Sequence, residues 1–331
     1  MNRIAVIGGG AWGTALAQAC RANGRETVLW ALEAEVVEAV NHDHENSVYL
    51  PGIALDDGLR ASTDLAVAAD VELVLLVTPA QHLRSITTQL ANHLPAGVPA
   101  VICAKGVEKG SFALMSEVLA ETLPEAPPVV LSGPTFAKEV AVGLPTAVTL
   151  AAGTENMALE IGECLGRPHF RPYFSQDIIG AQIGGAMKNV MAVACGIVEG
   201  KQMGENARAA LMTRGLAELT RYGLARGAQL ETLMGLSGIG DLSLTCNSLQ
   251  SRNMSFGADL GKGKTAAEIM AERNSVAEGV HTAAAVAAEA QAKNIDMPIA
   301  LTVDQIANQG ADLDDAIASL LNRPFQAEFH G

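Results

Sequence analysis

The stretch RIAVIGGGAWGTALA, residues 3–17, predicts a buried strand that turns directly into a helix. Its apolar run ends at Ile7, and Gly8, Gly10 and Gly13 follow with the spacing GxGxxG. In such a context the first glycine allows a tight turn, the second lets the backbone approach a pyrophosphate, and the third lets the helix pack on the strand. The pyrophosphate then meets the positive end of the helix dipole. The stretch predicts the first unit of a dinucleotide-binding α/β fold; the alternative is that the glycines serve packing alone.

A second strand-like run at residues 27–30 precedes an acidic residue, Glu33. Glu33 lies twenty positions after Gly13, which is where such folds place a carboxylate that accepts a hydrogen bond from the ribose 2′-hydroxyl. The alternative is a solvated glutamate that starts a helix.

Further β-branched, apolar runs at residues 73–77, 100–103 and 129–131 predict buried strands, and residues 147–151 and 170–173 could extend the sheet. After residue 176 the chain is rich in Ala, Leu, Met and Gly with helical spacing, broken by glycine-rich turns at 235–240 and 257–263. We therefore predict an α/β chain: a Rossmann-like, doubly wound, mostly parallel sheet in residues 1–180, then an all-helical domain in residues 181–331.

The bulk composition narrows the function classes. The 331 residues hold 22 Lys and Arg against 36 Asp and Glu, a formal charge of −14, which repels nucleic acid and anionic membranes, so we expect neither as a partner. Apolar stretches such as residues 73–77 are far shorter than the ~20 residues needed to span a bilayer, and no export signal opens the chain. The five cysteines form no disulfide framework, so we expect reduced, structural thiols and a cytoplasmic protein.

Charged residues in apolar or strand-end positions are the catalytic candidates. Lys188, beside Asn189 in an apolar segment, could act as a general acid and base if burial lowers its pKa, although a lone lysine more often extends to the surface. Lys105 follows a strand at the ligand-binding edge of the sheet. Asp241 follows a glycine turn and could either cap the next helix or take part in catalysis.

A donor-rich cluster and two histidines complete the candidates. Ser251, Arg252 and Asn253 offer a hydroxyl, a guanidinium and an amide that suit a phosphate monoester. His42 and His44 lie in an Asn/Asp/Glu-rich loop with no other histidine or cysteine nearby, so we expect solvated residues and no metal site.

Longer blocks of sequence resemble a known family. They are GGGAWGTALA (8–17), AKGVE (104–108), LSGPTFAKEVAVGLPTA (131–147), GGAMKNVMAVACG (184–196), NARAALMTRGLAE (206–218), GLSGIGDLSLTC (235–246), SRN (251–253) and VAEGVHT (276–282). The chain resembles glycerol-3-phosphate dehydrogenase over most of its length, and the ordered blocks separate that family from other Rossmann reductases.

The resemblance implies roles for individual residues. Lys188 would be the proton donor and acceptor, with Lys105, Asp241 and Thr245 around the reacting end. The implied substrate contacts are, besides the lysines and Asp241, Gly133, Thr135, Ser251, Arg252 and Asn253. The implied dinucleotide contacts, beyond the glycine turn and Glu33, are Ala11, Trp12, Lys105, Ala137, Arg252, Val276 and Glu278. The implied reaction is reversible reduction of dihydroxyacetone phosphate by NAD(P)H to sn-glycerol 3-phosphate, the precursor of glycerophospholipids, by a homodimer.

One departure from the family bears on the cofactor. Bacterial members often carry Arg or His after the second strand to hold a 2′-phosphate, whereas this chain reads Trp30, Ala31, Leu32, Glu33. A carboxylate there repels a 2′-phosphate, so we expect a preference for NAD(H) or weak discrimination between the cofactors, and not strict use of NADP(H). Arg25 is a candidate substitute cation.

Two other functions are consistent with parts of the pattern. A β-hydroxyacid dehydrogenase or a ketopantoate reductase also uses a lysine and an asparagine on a helix between domains, but the phosphate cluster argues against both. A non-catalytic dinucleotide sensor would be expected to lose Lys188, Asp241 or Arg252, and all three are present.

Overall fold

The computed structural model describes residues 1–273, 277–324 and 327. Within these residues eight strands form one sheet in the order β3-β2-β1-β4-β5-β6-β7-β8, and every neighbouring pair is parallel except β6 with β7. The strands are β1 (Arg3–Ile7), β2 (Glu26–Trp30), β3 (Arg60–Ser62), β4 (Leu73–Leu76), β5 (Ala100–Ile102), β6 (Pro128–Ser132), β7 (Thr146–Ala152) and β8 (Phe170–Ser175).

Helices cover both faces of the sheet and form most of the described chain after β8. In chain order they are α1 (Ala11–Ala22), α2 (Ala34–His42), α3 (Leu83–Leu90), α4 (Met115–Thr122), α5 (Ala137–Ala141), α6 (Glu155–Leu165), α7 (Ile178–Gly200), α8 (Glu205–Ala225), α9 (Leu230–Leu233), α10 (Asp241–Cys246), α11 (Arg252–Gly261), α12 (Ala266–Ala271), α13 (Glu278–Lys293), α14 (Pro298–Gln309) and α15 (Leu313–Leu321). The predicted fold class, a mostly parallel Rossmann-like sheet followed by helices, is confirmed.

The strands read as continuous apolar runs because both sheet faces are buried. Along β1, Ile4 and Val6 belong to the core on one face, whereas Ala5 and Ile7 belong to the core on the other. The same alternation continues in β4, so a parallel central strand needs apolar side chains at every position.

Two strands depart from the sequence analysis. β3, of three residues, lacks a long apolar run and was not predicted. β7 runs antiparallel to β6, because the segment between them, which contains the short helix α5, returns the chain beside β6 instead of crossing the sheet.

A third core surrounds α7, whose 23 residues are buried along almost their whole length. By length and composition α7 is the one helix among the described residues that could span a bilayer, so the expectation that all apolar stretches are short was wrong. The most apolar stretch of α7, 18 residues long, is 89% buried inside the protein, because α8, α10, α11 and α13 pack around the helix.

The two predicted glycine turns were only partly correct. Gly257 and Gly261 lie inside α11, where a Cβ on Gly257 would stand 2.0 Å from the carbonyl oxygen of Val193 on α7. These glycines therefore bring two helix backbones into contact, and the chain turns only at Gly263. Residues Leu236–Gly240 form a π-helical turn between α9 and α10.

A partly buried ion network joins the helical part to the sheet part. Arg226, directly after α8, donates from Nη1 to the carbonyl oxygen of Phe112 at 3.1 Å and to Glu289 at 2.8 Å, and from Nη2 to Glu117 at 2.8 Å. Since α7 also packs against β6, the division of the chain at residues 180 and 181 stays a prediction.

Candidate active site

The candidate site lies where the carboxyl ends of the parallel strands meet the helices around α7. Lys105 follows β5, Gly133 follows β6, and the first glycine turn follows β1. Lys188 projects toward them from α7, and Asp241 from the start of α10. This is the edge at which open α/β sheets bind ligands.

Asp241 is the centre of the site. Its carboxylate is fully buried and accepts hydrogen bonds from Lys188 Nζ at 2.6 Å and from Lys105 Nζ at 2.7 Å. Lys188 also donates to Thr245 Oγ1 at 3.0 Å, and Lys105 to the carbonyl oxygen of Gly133 at 3.1 Å. One carboxylate thus balances two ammonium groups, leaving the polar centre with net positive charge for an anionic substrate.

Two alternatives from the sequence analysis are excluded. Asp241 caps no helix: Gly240 occupies the N-cap position of α10 without a side-chain cap, and the Asp241 carboxylate bonds to the two lysines and Thr245. Lys188 does not extend to the surface, because only 7% of the residue is exposed.

Close backbone contacts bring Asp241 to Lys188. A Cβ on Gly184 of α7 would lie 2.2 Å from the carbonyl oxygen of Ser237, and one on Gly238 would lie 1.8 Å from that of Leu233. Glycine at 184 lets the π-helical turn rest directly on α7, and glycine at 238 lets that turn fold closely against the end of α9. Asp241, immediately after that turn, consequently reaches Lys188 one helical turn beyond Gly184.

The burial of Lys188 changes its acidity. Burial lowers the pKa of the ammonium group and the nearby Lys105 adds to this effect, while Asp241 opposes both; the resulting pKa is about 8. Near neutral pH the group is therefore mostly protonated yet close to its midpoint, which is the condition for proton transfer in either direction.

Asn189 links the lysines to the predicted phosphate cluster, although it was not among the predicted site residues. Its Nδ2 donates to the carbonyl oxygen of Lys105 at 3.3 Å, and its Oδ1 accepts from Asn253 Nδ2 at 2.9 Å. Asn253 in turn accepts from the backbone N–H of Gly279 at 2.8 Å. The sequence signal that could have identified Asn189 as a site residue was its amide next to Lys188 in an otherwise apolar helical segment.

The predicted phosphate cluster forms the first turn of α11. Ser251 is its N-cap and accepts from the backbone N–H of Met254, yet its hydroxyl keeps a hydrogen to donate. The guanidinium of Arg252 is exposed and has no hydrogen bond or ion pair to another described residue. Arg252 is therefore the readiest donor of the three, at a helix terminus that favours anions.

The glycine turn has room for a ligand. A Cβ on Gly13 would lie 1.8 Å from the carbonyl oxygen of Gly8, so Gly13 packs the helix against the turn. At Gly10, the N-cap of α1, an added Cβ would meet nothing within 4 Å. The space above Gly10 and the N–H groups of the first turn of α1 fit a pyrophosphate.

Unpaired buried atoms also fit a polar ligand in this cleft. Trp12 Nε1 on α1, Thr78 Oγ1 after β4, and Glu278 Oε2 and Thr282 Oγ1 on α13 have no hydrogen-bond partner among the residues that the structure describes. Buried polar groups are rarely left unsatisfied, so a polar molecule is expected to complete them. Burial raises the pKa of Glu278 to about 7, although the nearby Arg252 opposes this, and its other oxygen accepts from the N–H of Ala80 at 3.3 Å.

The remaining residues predicted to contact the substrate or the dinucleotide lie on the elements that follow the strand ends. Ala11 and Trp12 begin α1, Ala137 begins α5, and Thr135 donates from Oγ1 to the carbonyl oxygen of Gly133 at 3.2 Å. Val276 lies outside the described residues.

Glu33, the predicted contact of the ribose, has no arginine partner among the described residues. Glu33 occupies the N-cap position of α2 without capping it, and its Oε1 accepts from the hydroxyl of Tyr49 at 3.0 Å. Arg25, the candidate substitute cation, lies at the opposite end of the sheet, where it donates to the carbonyl oxygens of Cys164 and Glu163. Arg25 therefore cannot hold a 2′-phosphate.

Among the described residues no three His, Cys, Asp or Glu side chains come together as a metal site. The five cysteines are buried and unpaired.

Comparisons with known proteins agree over both parts of the chain. Residues 3–158 match the family model for the NAD-dependent glycerol-3-phosphate dehydrogenase N-terminus, and residues 177–318 match the model for its C-terminus. A relative from Parvibaculum lavamentivorans named glycerol-3-phosphate dehydrogenase (NAD(P)+) is 60% identical over 99% of this chain and 98% of its own length. One of the same name from Rhodospirillum rubrum is 57% identical over 99% and 94%.

A solved structure is similar throughout. The crystal structure of glycerol-3-phosphate dehydrogenase from Coxiella burnetii aligns with a TM-score of 0.93 and 38% identity, over 97% of this chain and 99% of that one.

Gly10→Ala is expected to weaken dinucleotide binding without unfolding the protein. The new methyl group meets no protein atom but enters the space where the pyrophosphate would lie, so Kd for the dinucleotide should rise by about tenfold or more. Calorimetric titration measures Kd, and thermal unfolding of the unliganded protein measures stability.

Gly153→Ala is the matched control, because Gly153 follows β7 at the opposite edge of the sheet and its added Cβ also meets nothing within 4 Å. An unchanged Kd in Gly10→Ala would show that no phosphate lies above this turn.

Proposed function

The chain belongs to the family of NAD-dependent glycerol-3-phosphate dehydrogenases, and on this premise we propose how its residues carry out the reaction. It is an NAD(P)-dependent oxidoreductase that interconverts dihydroxyacetone phosphate and sn-glycerol 3-phosphate. The single observation that carries the proposed mechanism is the buried Lys188, held at 2.6 Å from Asp241 in a cleft with an anion-binding helix terminus.

Lys188 is the proposed proton donor. When bound, the nicotinamide supplies the hydride to the carbonyl carbon. Lys188 protonates the carbonyl oxygen as negative charge develops on it, and in the reverse direction takes the proton from the hydroxyl group. A pKa of about 8 suits both directions near neutral pH.

Asp241, Thr245 and Lys105 are proposed to hold Lys188 in position and in the required charge state. Asp241 and Thr245 accept two of the three hydrogens of Lys188, so the third can point to the substrate oxygen. Lys105 adds a second cation on the other oxygen of Asp241, which stabilises an anionic substrate. Gly133 and Thr135 border this end of the cleft.

The phosphate of the substrate is proposed to bind the first turn of α11. Arg252 offers an unengaged guanidinium fork, and Ser251 and Asn253 each retain one hydrogen to donate. Binding energy at this remote group orients the carbonyl, so loss of Arg252 should reduce turnover as well as affinity.

The dinucleotide is proposed to lie across the glycine turn. Gly8, Gly10, Ala11, Trp12 and Gly13 would face its pyrophosphate, and Glu33 its adenosine ribose. Lys105, Ala137, Arg252, Val276 and Glu278 would complete its contacts, as the family resemblance implies.

NAD(H) is the proposed preferred cofactor. Glu33 follows β2 where a 2′-phosphate would have to lie, and Arg25 points to the other end of the sheet. A carboxylate in this place accepts from a free 2′-hydroxyl and repels a phosphate.

The biological setting is also a proposal. The family resemblance supports a homodimer that supplies glycerophospholipid synthesis, and five unpaired cysteines support a cytoplasmic location. The two alternative functions, another Rossmann reductase and a non-catalytic dinucleotide sensor, are not favoured, because the chain matches the glycerol-3-phosphate dehydrogenase family.

Lys188→Ala should abolish most of the reduction of dihydroxyacetone phosphate, by about 10²-fold to 10⁴-fold in kcat, because no other group replaces the proton donor. Asp241 keeps its ion pair with Lys105, so the fold and dinucleotide affinity should remain. Oxidation of NADH followed at 340 nm measures turnover, with unphosphorylated dihydroxyacetone as the control substrate. Turnover close to that of the unaltered protein would refute the assignment of Lys188.

The unaltered protein should reduce dihydroxyacetone phosphate with a kcat/KM about tenfold or more higher for NADH than for NADPH, a difference of ~1.4 kcal/mol or more in transition-state binding. The measurement runs both cofactors in parallel at one pH and ionic strength. A large advantage for NADPH would contradict the role given to Glu33.

A further inference from the structure

A buried asparagine connects the glycine turn to the loop after α2. Asn46 is fully buried, and its Nδ2 donates to the carbonyl oxygen of Gly9 and to Thr14 Oγ1, each at 2.8 Å. Its Oδ1 accepts from the backbone N–H of Tyr49 at 3.1 Å. The amide is thus bonded on both sides, and it fixes the start of the Tyr49 backbone relative to the turn that faces the dinucleotide.

Tyr49 carries this connection on to Glu33. Its hydroxyl donates to Glu33 Oε1 at 3.0 Å, while its ring packs against the core beneath α1 and α2. Burial and the bond to Glu33 raise the pKa of the Tyr49 hydroxyl, so it stays protonated and remains a donor at neutral pH. Hydrogen bonds at the backbone and at the side chain of Tyr49 therefore connect Asn46, and through it Gly9, to the carboxylate of Glu33.

We propose that Tyr49, anchored by Asn46, is a positioning residue that makes Glu33 selective for a dinucleotide with a free 2′-hydroxyl. This inference rests on the cofactor preference proposed above. Acceptance of a hydrogen bond from ribose does not by itself require Tyr49, because a carboxylate on a free side chain would also accept it.

The physical reason is that a glutamate side chain has several rotamers. Glu33 is only half-buried and precedes the exposed residues Ala34 and Glu35, so an unrestrained carboxylate could turn toward solvent and let a 2′-phosphate enter. The bond from Tyr49 occupies Oε1 and keeps the carboxylate over the ribose position, while Oε2 has no partner among the described residues. The negative charge then stays where it repels a phosphate, and Oε2 stays free to accept from a hydroxyl.

The test is a double-mutant cycle with Tyr49→Phe and Glu33→Ala, measured as Kd for NAD⁺ and NADP⁺ by calorimetric titration of the protein without substrate. Phenylalanine keeps the packed ring and removes only the hydroxyl, so the variant should fold. Tyr173→Phe, at an exposed tyrosine on the edge strand β8, is the matched control.

Glu33→Ala should lower the ratio of Kd for NADP⁺ to Kd for NAD⁺ by about tenfold or more. Tyr49→Phe should lower it by about fivefold, the size of one net hydrogen bond. In the Glu33→Ala background, Tyr49→Phe should leave the ratio unchanged, and Tyr173→Phe should leave it unchanged in either background.

Other outcomes separate the two proposals. If Glu33→Ala changes the ratio and Tyr49→Phe does not, Tyr49 is not a positioning residue and the preference for NAD(H) through Glu33 stands. If Tyr49→Phe lowers the ratio equally with and without Glu33, Tyr49 acts on the dinucleotide directly and the positioning role is overturned. If Glu33→Ala leaves the ratio unchanged, the proposed basis of the preference fails, and the role of Tyr49 fails with it.

Discussion

The site depends on one shared carboxylate. Burying the ammonium of Lys188 in an apolar helix core would be costly without a counter-charge, and Asp241 provides it while also binding Lys105. This requirement constrains the rest of the structure: β5 must deliver Lys105 to the sheet edge, and α10 must begin beside α7. Glycine at 184 makes that second approach sterically possible. The charge balance at Lys188 thus depends on the close packing of the helical part, which brings Asp241 beside it.

Much of the framework was predictable from the sequence, because its signals are local. The glycine turn after β1 is defined by residues that are adjacent in sequence. Buried parallel strands can be recognised in the sequence as continuous apolar runs. Lys188 stood out because a lysine within the apolar segment 183–194 demands an explanation. β3 gave no such signal, and the reversed direction of β7 is decided by how the chain returns around α5 and not by the composition of the strand.

The pairings that make the site functional could not be predicted in this way. Lys188 lies 53 positions from Asp241 in sequence, and Lys105 lies 136 positions from it. Only the fold therefore decides that the two lysines share the carboxylate of Asp241. The same holds for the amide pair of Asn189 and Asn253 and for the bond from Tyr49 to Glu33. Gly257 was misassigned to a turn because a glycine that admits a neighbouring helix and a glycine that turns the chain look alike in sequence.

The most direct test of the account is the pH dependence of kcat/KM for ketone reduction in the unaltered protein and in Asp241→Asn. If Lys188 is the proton donor as proposed, the rate of reduction in the unaltered protein should be constant at low pH and fall as pH rises through about 8. Asp241 raises the pKa of Lys188, whereas burial and Lys105 lower it, so removing the carboxylate should move this fall to lower pH by about one unit or more. A variant that loses activity but keeps the fall at the same pH would contradict the claim that Asp241 sets the charge state of Lys188.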